Sequence, residues 1–385
     1  MWYLCALVVA TPATSARLVA QSRDAPQVTV SGSVLVHTFV TSSRTNNIDV
    51  PQFAVRRDGT DSLGDGGGLG LSVRQTRLAV RAFWPDLLGG ELRTEIDADF
   101  FGGQQQNSAG ALVPLFRVRR AVAEWRGDRS HVLIGQEVPL IAEHNPVTLA
   151  SIGVSGLSGS GNLWLWLPQL RAGYTIAQRG TVRVGFDGAV VAPTSNEAAG
   201  ALLRQPDRAE QSMRPAFEGR AVVRWGREAG AGEVSAGGHH GWMATAGDSL
   251  LVSRAVAVAA RVPLGRSVAI TGEWFRGQAL AGLGGGGVGQ QLGVGNLPVR
   301  TTGGWAQLVA QLPRSVEVAA GAGADDPRDA ELAPAGRLHN RTLMASASWR
   351  PSPIVAALEV REIATRYRGG TARAVHLNVA LGVTF

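Results

Sequence analysis

In the run GGELRTEIDADFFGG, residues 89–103, Leu92, Thr94, Ile96, Ala98 and Phe100 hold the even positions, and Glu91, Arg93, Glu95, Asp97 and Asp99 hold the odd ones. Successive side chains of a strand point to opposite faces, so this segment has one wholly charged face and one almost wholly apolar face. A soluble sandwich would turn the charged face to water and the apolar face to its core. A transmembrane barrel would do the reverse, with lipid outside and water inside. Alternation alone leaves both open.

The same period recurs to the end of the chain. In AVHLNVALGVTF, Val375, Leu377, Val379, Leu381, Val383 and Phe385 share a face, and in FEGRAVVRWG, Glu218, Arg220 and Arg224 oppose Phe217, Ala221, Val223 and Trp225. Helical spacing is nowhere sustained. The pattern predicts strands over 27–40, 70–84, 90–101, 116–126, 131–137, 163–177, 181–192, 215–226, 233–244, 249–263, 267–278, 301–312, 315–322, 338–350, 354–368 and 372–385, an even count of sixteen. Long connections such as VPLIAEHNPVTLASIGVSGLSGSGN alternate with short ones such as QRG, LGR and PSP, although the fifth and eighth on the long side are short. Long loops gathered at one end are the signature of an outer-membrane barrel, and an even strand number returns both termini to the short-turn side. The predicted fold is an all-β, closed transmembrane antiparallel barrel with short periplasmic turns and long external loops.

Composition agrees. Past the N-terminus no run of eighteen apolar residues offers a transmembrane helix. All 37 basic residues are arginines spread along the chain, with a net charge of +7, so no clustered basic footprint suggests nucleic acid. The only cysteine, Cys5, lies in an apolar segment followed by small residues, which reads as a signal peptide over residues 1–20, cut after Ala16 or Ala20. Residues 21–385 then form a single barrel without a disulfide. The chain ends on Phe385 in an alternating strand, and Trp84, Trp125, Trp166, Trp225, Trp242, Trp274 and Trp349 are candidates for interfacial aromatic girdles.

Four segments in order, SVRQTRLAVRAFWP, GGELRTEIDADFFGG, FRVRRAVAEW and HVLIGQEVP, and then LWLPQLRAGYT at 165–175, resemble the first-strand block of the DcaP-like trimeric porins. The likeness covers roughly residues 27–178; farther on only the architecture matches. It implies a trimeric general or anion-preferring porin of the outer membrane that passes small anionic solutes, dicarboxylates among them.

The third long connection, 138–162, occupies the position where porins fold a loop into the lumen. We expect Glu137, Glu143, His144 and Asn145 to form one side of a constriction. Lumen-facing Arg77, Arg81, Arg93, Arg117 and Arg119, with Arg171 and Arg183 beyond, would form the other side, beside Glu95, Asp97 and Asp99. Arginine ladders lower the barrier for anions, but opposed cross-strand charges also pair for structural reasons, so part of this charge is expected to be neutralised. In FRVRRAVAEW, strict alternation puts Arg120 and Glu124 on the face of Phe116 and Val118. Facing lipid would cost roughly 2–4 kcal/mol at the midplane, which makes Arg120 and Glu124 candidates for a trimer contact.

No cofactor, metal or nucleic-acid partner is expected; the partners are outer-membrane lipid, a homotrimer and small anions. Adjacent histidines in GHHGW point to opposite faces, and the glycine-rich 282–295 stretch reads as an external loop. Two other readings are a barrel-embedded hydrolase, with His37, His240 or His339 as base, and a secreted soluble β-protein that binds polysaccharide.

Overall fold

A computed structural model describes residues 25–56, 66–102, 104–106, 112–148, 154–195, 205–227, 231–245 and 249–385. The expected leader, with Cys5, lies outside them. In chain order the strands are β1 (Gln27–Ser43), β2 (Gly66–Ser72), β3 (Arg77–Leu87), β4 (Gly90–Asp99), β5 (Gln104–Gln106), β6 (Leu112–Pro114), β7 (Arg117–Arg126), β8 (Ser130–Glu137), β9 (Leu167–Arg179) and β10 (Val182–Val191). They continue with β11 (Ala216–Trp225), β12 (Gly232–Ala244), β13 (Leu250–Pro263), β14 (Val268–Gln278), β15 (Arg300–Leu312), β16 (Val316–Pro327), β17 (His339–Trp349), β18 (Ile354–Tyr367) and β19 (Gly370–Thr384).

Seventeen strands form one antiparallel sheet that closes where β1 pairs with β19, while β5 and β6 make a separate hairpin within the second long loop. β2 and β3 pair in turn with the upper and lower halves of β1 and so act as one bent strand. Seventeen strands less that one continuation leave a closed barrel of sixteen. Closure leaves no edge, which a sheet in hydrocarbon requires.

The C-terminal residue completes the seam: Phe385 N donates to Gly32 O and Gly32 N donates to Phe385 O, at 3.1 and 3.0 Å. A side chain on Gly32 would overlap the Phe385 ring. Tight turns close one end, as at Leu88–Gly89 and Arg314–Ser315, where both residues take positive φ, the geometry that suits a two-residue hairpin.

The two faces separate as the alternation predicts. Ile96, Val256 and Leu381 are more than half exposed on the outer wall. Asp97, Asp99, Glu218, Arg220, Glu359 and Arg361 are buried on the inner one. The largest apolar cluster also lies inside: Leu140, Ile141, Leu163, Leu280 and Leu283 come from loops folded into the barrel and pack on Ala189, Val191, Ala255 and Phe275 of the wall. The glycine-rich 282–295 stretch thus belongs to a connection turned partly inward; Gly286, Gly287 and Val288 are buried.

Candidate pore and its constriction

The inward loop begins at the end of β8. Leu140 N donates to Glu218 Oε2 of β11 at 2.6 Å. The loop then crosses to the far wall, where Val147 N donates to Gln307 Oε1 and Gln307 Nε2 donates to Val147 O, both at 2.7 Å. Its distal part lies flat against β16 and β17: Ser160 Oγ bonds the Thr342 hydroxyl at 2.8 Å, and Asn340 Nδ2 donates to Gly159 O at 2.8 Å. Close approach depends on glycine, since a Cβ on Gly323 would overlap Ser160 O, and one on Gly161, at φ +92, would overlap Gly304.

Glu143 reaches the wall between two guanidinium groups, with Arg171 Nη1 at 2.5 Å and Arg220 Nη2 at 2.7 Å. Arg220 also meets Asp187 at 2.8 Å, and Arg224 meets Glu233 at 2.6 Å. Burial disfavours ionisation of Glu143, but Arg220, Arg171 and Arg224 outweigh it and hold the carboxyl below the usual carboxylate range. His144 lies 3.7 Å from Glu233. Burial keeps its imidazole below the usual range, against the pull of Glu233 and Glu143, so it is neutral at pH 7. Asn145 accepts from Asn162 Nδ2 at 3.2 Å, which braces the two limbs of the loop.

A cavity of about 720 Å³ runs beside this loop. Arg77, Arg119, Arg120 and Arg171 line it together with Glu137 and Glu143. Most wall arginines are paired. Arg77 donates from Nε to Asp97 at 2.7 Å, Arg117 from Nη2 to Asp99 at 2.7 Å, and Arg81 from Nη2 to Glu95 at 3.0 Å. Arg93 pairs with Glu91 at 2.9 Å. Arg119 sits over the Trp166 ring, 3.5 Å from Asp99 and 3.8 Å from Asp97, and its Nε and Nη1 make no hydrogen bond among the described residues. Across the β3–β4–β7 patch, Arg77, Arg81, Arg117, Arg119 and Arg120 (+5) face Glu95, Asp97, Asp99 and Glu137 (−4), leaving one net positive charge. Arg183 stands opposite Arg224 toward the short-turn end, exposed and without an ion pair among the described residues.

Two expectations need correction. Arg120 and Glu124 do not face outward. Asp97 pairs with Arg120 and Ala98 with Val118, so Arg119 is an extra residue, a β-bulge that reverses parity. Arg120 therefore turns inward to Glu95 and Glu137, and Glu124 lies opposite Arg93. The lipid-facing charge that motivated a subunit contact at these residues is absent. Trp166 is likewise no girdle residue: the strand begins at Leu167, and the indole packs inside under Arg117 and Arg119.

One constellation escaped the sequence reading. His239 Nδ1 lies 3.0 Å from Glu218 Oε1, and its Nε2 lies 3.2 Å from Ser253 Oγ. The order is that of a nucleophile relay, but Ser253 gives its proton to Ala279 O at 2.8 Å. The adjoining cavity holds only about 20 Å³, too little for an acyl group. The cluster braces the inward loop through the Glu218–Leu140 bond. Parity puts all three side chains inside, but their meeting depends on strand register, which no motif marks. Of the three histidines considered as bases, His37 is buried against Asn378 and His240 packs on Trp242.

No family model and no curated protein matches this chain. Solved structures do. The outer membrane channel DcaP of Acinetobacter baumannii superposes with a TM-score of 0.70 over 95% of this chain and 99% of that one, at 14% identity. The anion-selective porin from Comamonas acidovorans gives 0.52 over 94% and 100%, at 14% identity. Salmonella typhi OmpF gives 0.59 over 95% and 99%, at 9% identity. With its apolar outer wall, polar interior and inward third loop, the chain is an outer-membrane-type β-barrel with the fold of the DcaP channel and the porins.

Proposed function

We propose that this chain is a non-enzymatic porin of a bacterial outer membrane, through which small hydrophilic solutes diffuse with a modest preference for anions such as dicarboxylates. The observation that carries this reading is the cavity of about 720 Å³ beside the docked loop, lined by Arg77, Arg119, Arg120 and Arg171 together with Glu137 and Glu143. The partly exposed guanidinium groups of Arg77 and Arg120 on this wall are within reach of a passing carboxylate. Because Asp97 and Asp99 sit behind the arginines, the local excess is about one charge, which favours a bias rather than tight binding.

A homotrimer is part of the proposal. One solved relative in fold, OmpT of Vibrio cholerae, is described in a trimer form. With Arg120 and Glu124 turned inward, the outer wall of β2, β4 and β7, with Phe116 just before β7, presents Leu69, Leu71, Ile96, Phe116 and Val118, all exposed and uncharged. This surface suits a subunit contact.

The test is swelling of proteoliposomes in isosmotic succinate against a diamine of matched size. Faster entry of the dicarboxylate supports the reading. Equal rates would remove the anion preference, and no swelling with a folded protein would remove the channel. Native mass spectrometry in mild detergent that showed only monomers would remove the trimer.

A further inference from the structure

A second cavity, about 840 Å³, lies on the outer wall at the long-loop end of β13–β16. Five arginines line it: Arg254, Arg276, Arg300, Arg328 and Arg366. Strand register puts them on the outward face. Arg276 is paired with Val256 on one side and Thr302 on the other, and Gln278 with Arg254 and Arg300. Val258, Trp274 and Leu308, on the same face and nearer the barrel's middle, are exposed. The guanidinium groups therefore begin about 7 Å, one outward step, above the apolar belt, at the depth where lipid phosphates meet a membrane protein.

The acids nearby do not neutralise this shelf. Arg300 and Arg328 share Glu331, and Arg366 pairs with Asp329 at 3.3 Å. Asp326 is the third acid at the site. Five cations against three anions leave +2, and Arg254 and Arg276 make no ion pair among the described residues. The feature is one-sided: outward positions at the same end of β1, β8, β9 and β10 are Val40, Gln136, Pro168 and Val190. Arginine at the edge of hydrocarbon costs at most about 1 kcal/mol, because its side chain reaches headgroup level, and there its two parallel N–H donors suit a phosphate.

We propose that this shelf binds the phosphate groups of an anionic glycolipid in the outer leaflet, with Arg254 and Arg276 as its principal contacts and the acyl chains lying along Val258 and Trp274. The site is distinct from the solute pathway and does not depend on the pore's selectivity. Its test is native mass spectrometry of the full-length barrel, delipidated and then incubated with bisphosphorylated lipid A in detergent. The wild type is expected to retain the lipid, and Arg254→Gln/Arg276→Gln to lose it by about tenfold or more, the scale of one charge-assisted contact. Arg341→Gln, on the same wall but paired with Glu362, is expected to retain it. Fully dephosphorylated lipid offered to the wild type should bind at least about tenfold more weakly, a comparison that does not depend on the variant folding. Equal retention with or without phosphate, or by wild type and a double variant that keeps its heat-modifiable gel mobility, would overturn the proposal. So would displacement of the lipid by millimolar inorganic phosphate, which would mark a free-anion site.

Discussion

Replacing Glu143 by Gln isolates the electrostatic role of the inward loop. Around it, Arg171, Arg220 and Arg224 (+3) balance Glu143, Asp187 and Glu233 (−3). The variant leaves one net positive charge. For an ion passing at about 6 Å through water, a unit charge changes its energy by about 0.7 kcal/mol, and screening at about 0.1 M salt leaves about 0.4 kcal/mol. That is roughly a twofold gain for anions and an equal loss for cations, or about fourfold in their permeability ratio. The loop should stay docked, because Leu140 N on Glu218 and Val147 on Gln307 are untouched. Arg220 keeps Asp187 at 2.8 Å, and Arg171 keeps Gln169 at 2.6 Å, so the destabilisation should fall short of the 3–5 kcal/mol typical of orphaning a buried charge. The assay is the reversal potential in a planar bilayer under a KCl gradient. An unchanged potential, or a shift toward cations with folding intact, would refute this account of the constriction.

Other perturbations address different parts of the structure. Gly323→Val should push the loop away at Ser160, seen as a larger and noisier open-channel current with an unchanged barrel melting profile. Deleting Phe385 removes both hydrogen bonds to Gly32 at the seam, and should lower the yield of folded, heat-modifiable barrel without altering the conductance of the molecules that do fold. Lowering the pH should raise the anion preference below the usual imidazole range, where His144, held low by burial, gains its proton. Glu143 is depressed in the folded state, so its stabilising contribution is complete above the unfolded carboxylate pKa and is lost only as pH falls through the lower folded value. Glu143 therefore leaves loop docking, followed by protection from proteolysis, flat between about pH 8 and pH 6.5; below the unfolded imidazole pKa of about 6.5 docking should weaken, because the buried neutral His144 of the docked loop takes up its proton less readily than the undocked loop does.

Most of the barrel was legible because its two solvents impose a period of two on every strand. The charged–apolar run at 89–103 contains β4, with Ile96 outward and Asp97 and Asp99 buried inside. The neutralisation of its neighbours was also readable, since adjacent antiparallel strands bring Arg77 and Arg81 within reach of Asp97 and Glu95. The bulge at Arg119 was not. One inserted residue reverses the parity of everything after it, and no composition marks it, so Arg120 and Glu124 were placed on the wrong face. The extent of the third loop was misjudged for a related reason: 163–166 alternates like a strand but follows the lumen wall, which gave Trp166 an interfacial role it lacks. The anchors Glu218, Gln307 and Asn340 were recognisable as lumen-facing polar residues. Their task depends on the path of a distant loop, which no local pattern encodes.

If solutes pass inside the barrel beside the 138–166 loop, a charged adduct on that loop must block the current. Cysteine introduced at Asn145, with Cys5 in the expected leader as the only native one, tests it by block of single-channel current with a negatively charged thiol reagent. Asn145→Cys should lose most of its current on modification, while Val256→Cys on the outer wall should lose none. Full conductance after complete labelling at Asn145 would contradict it.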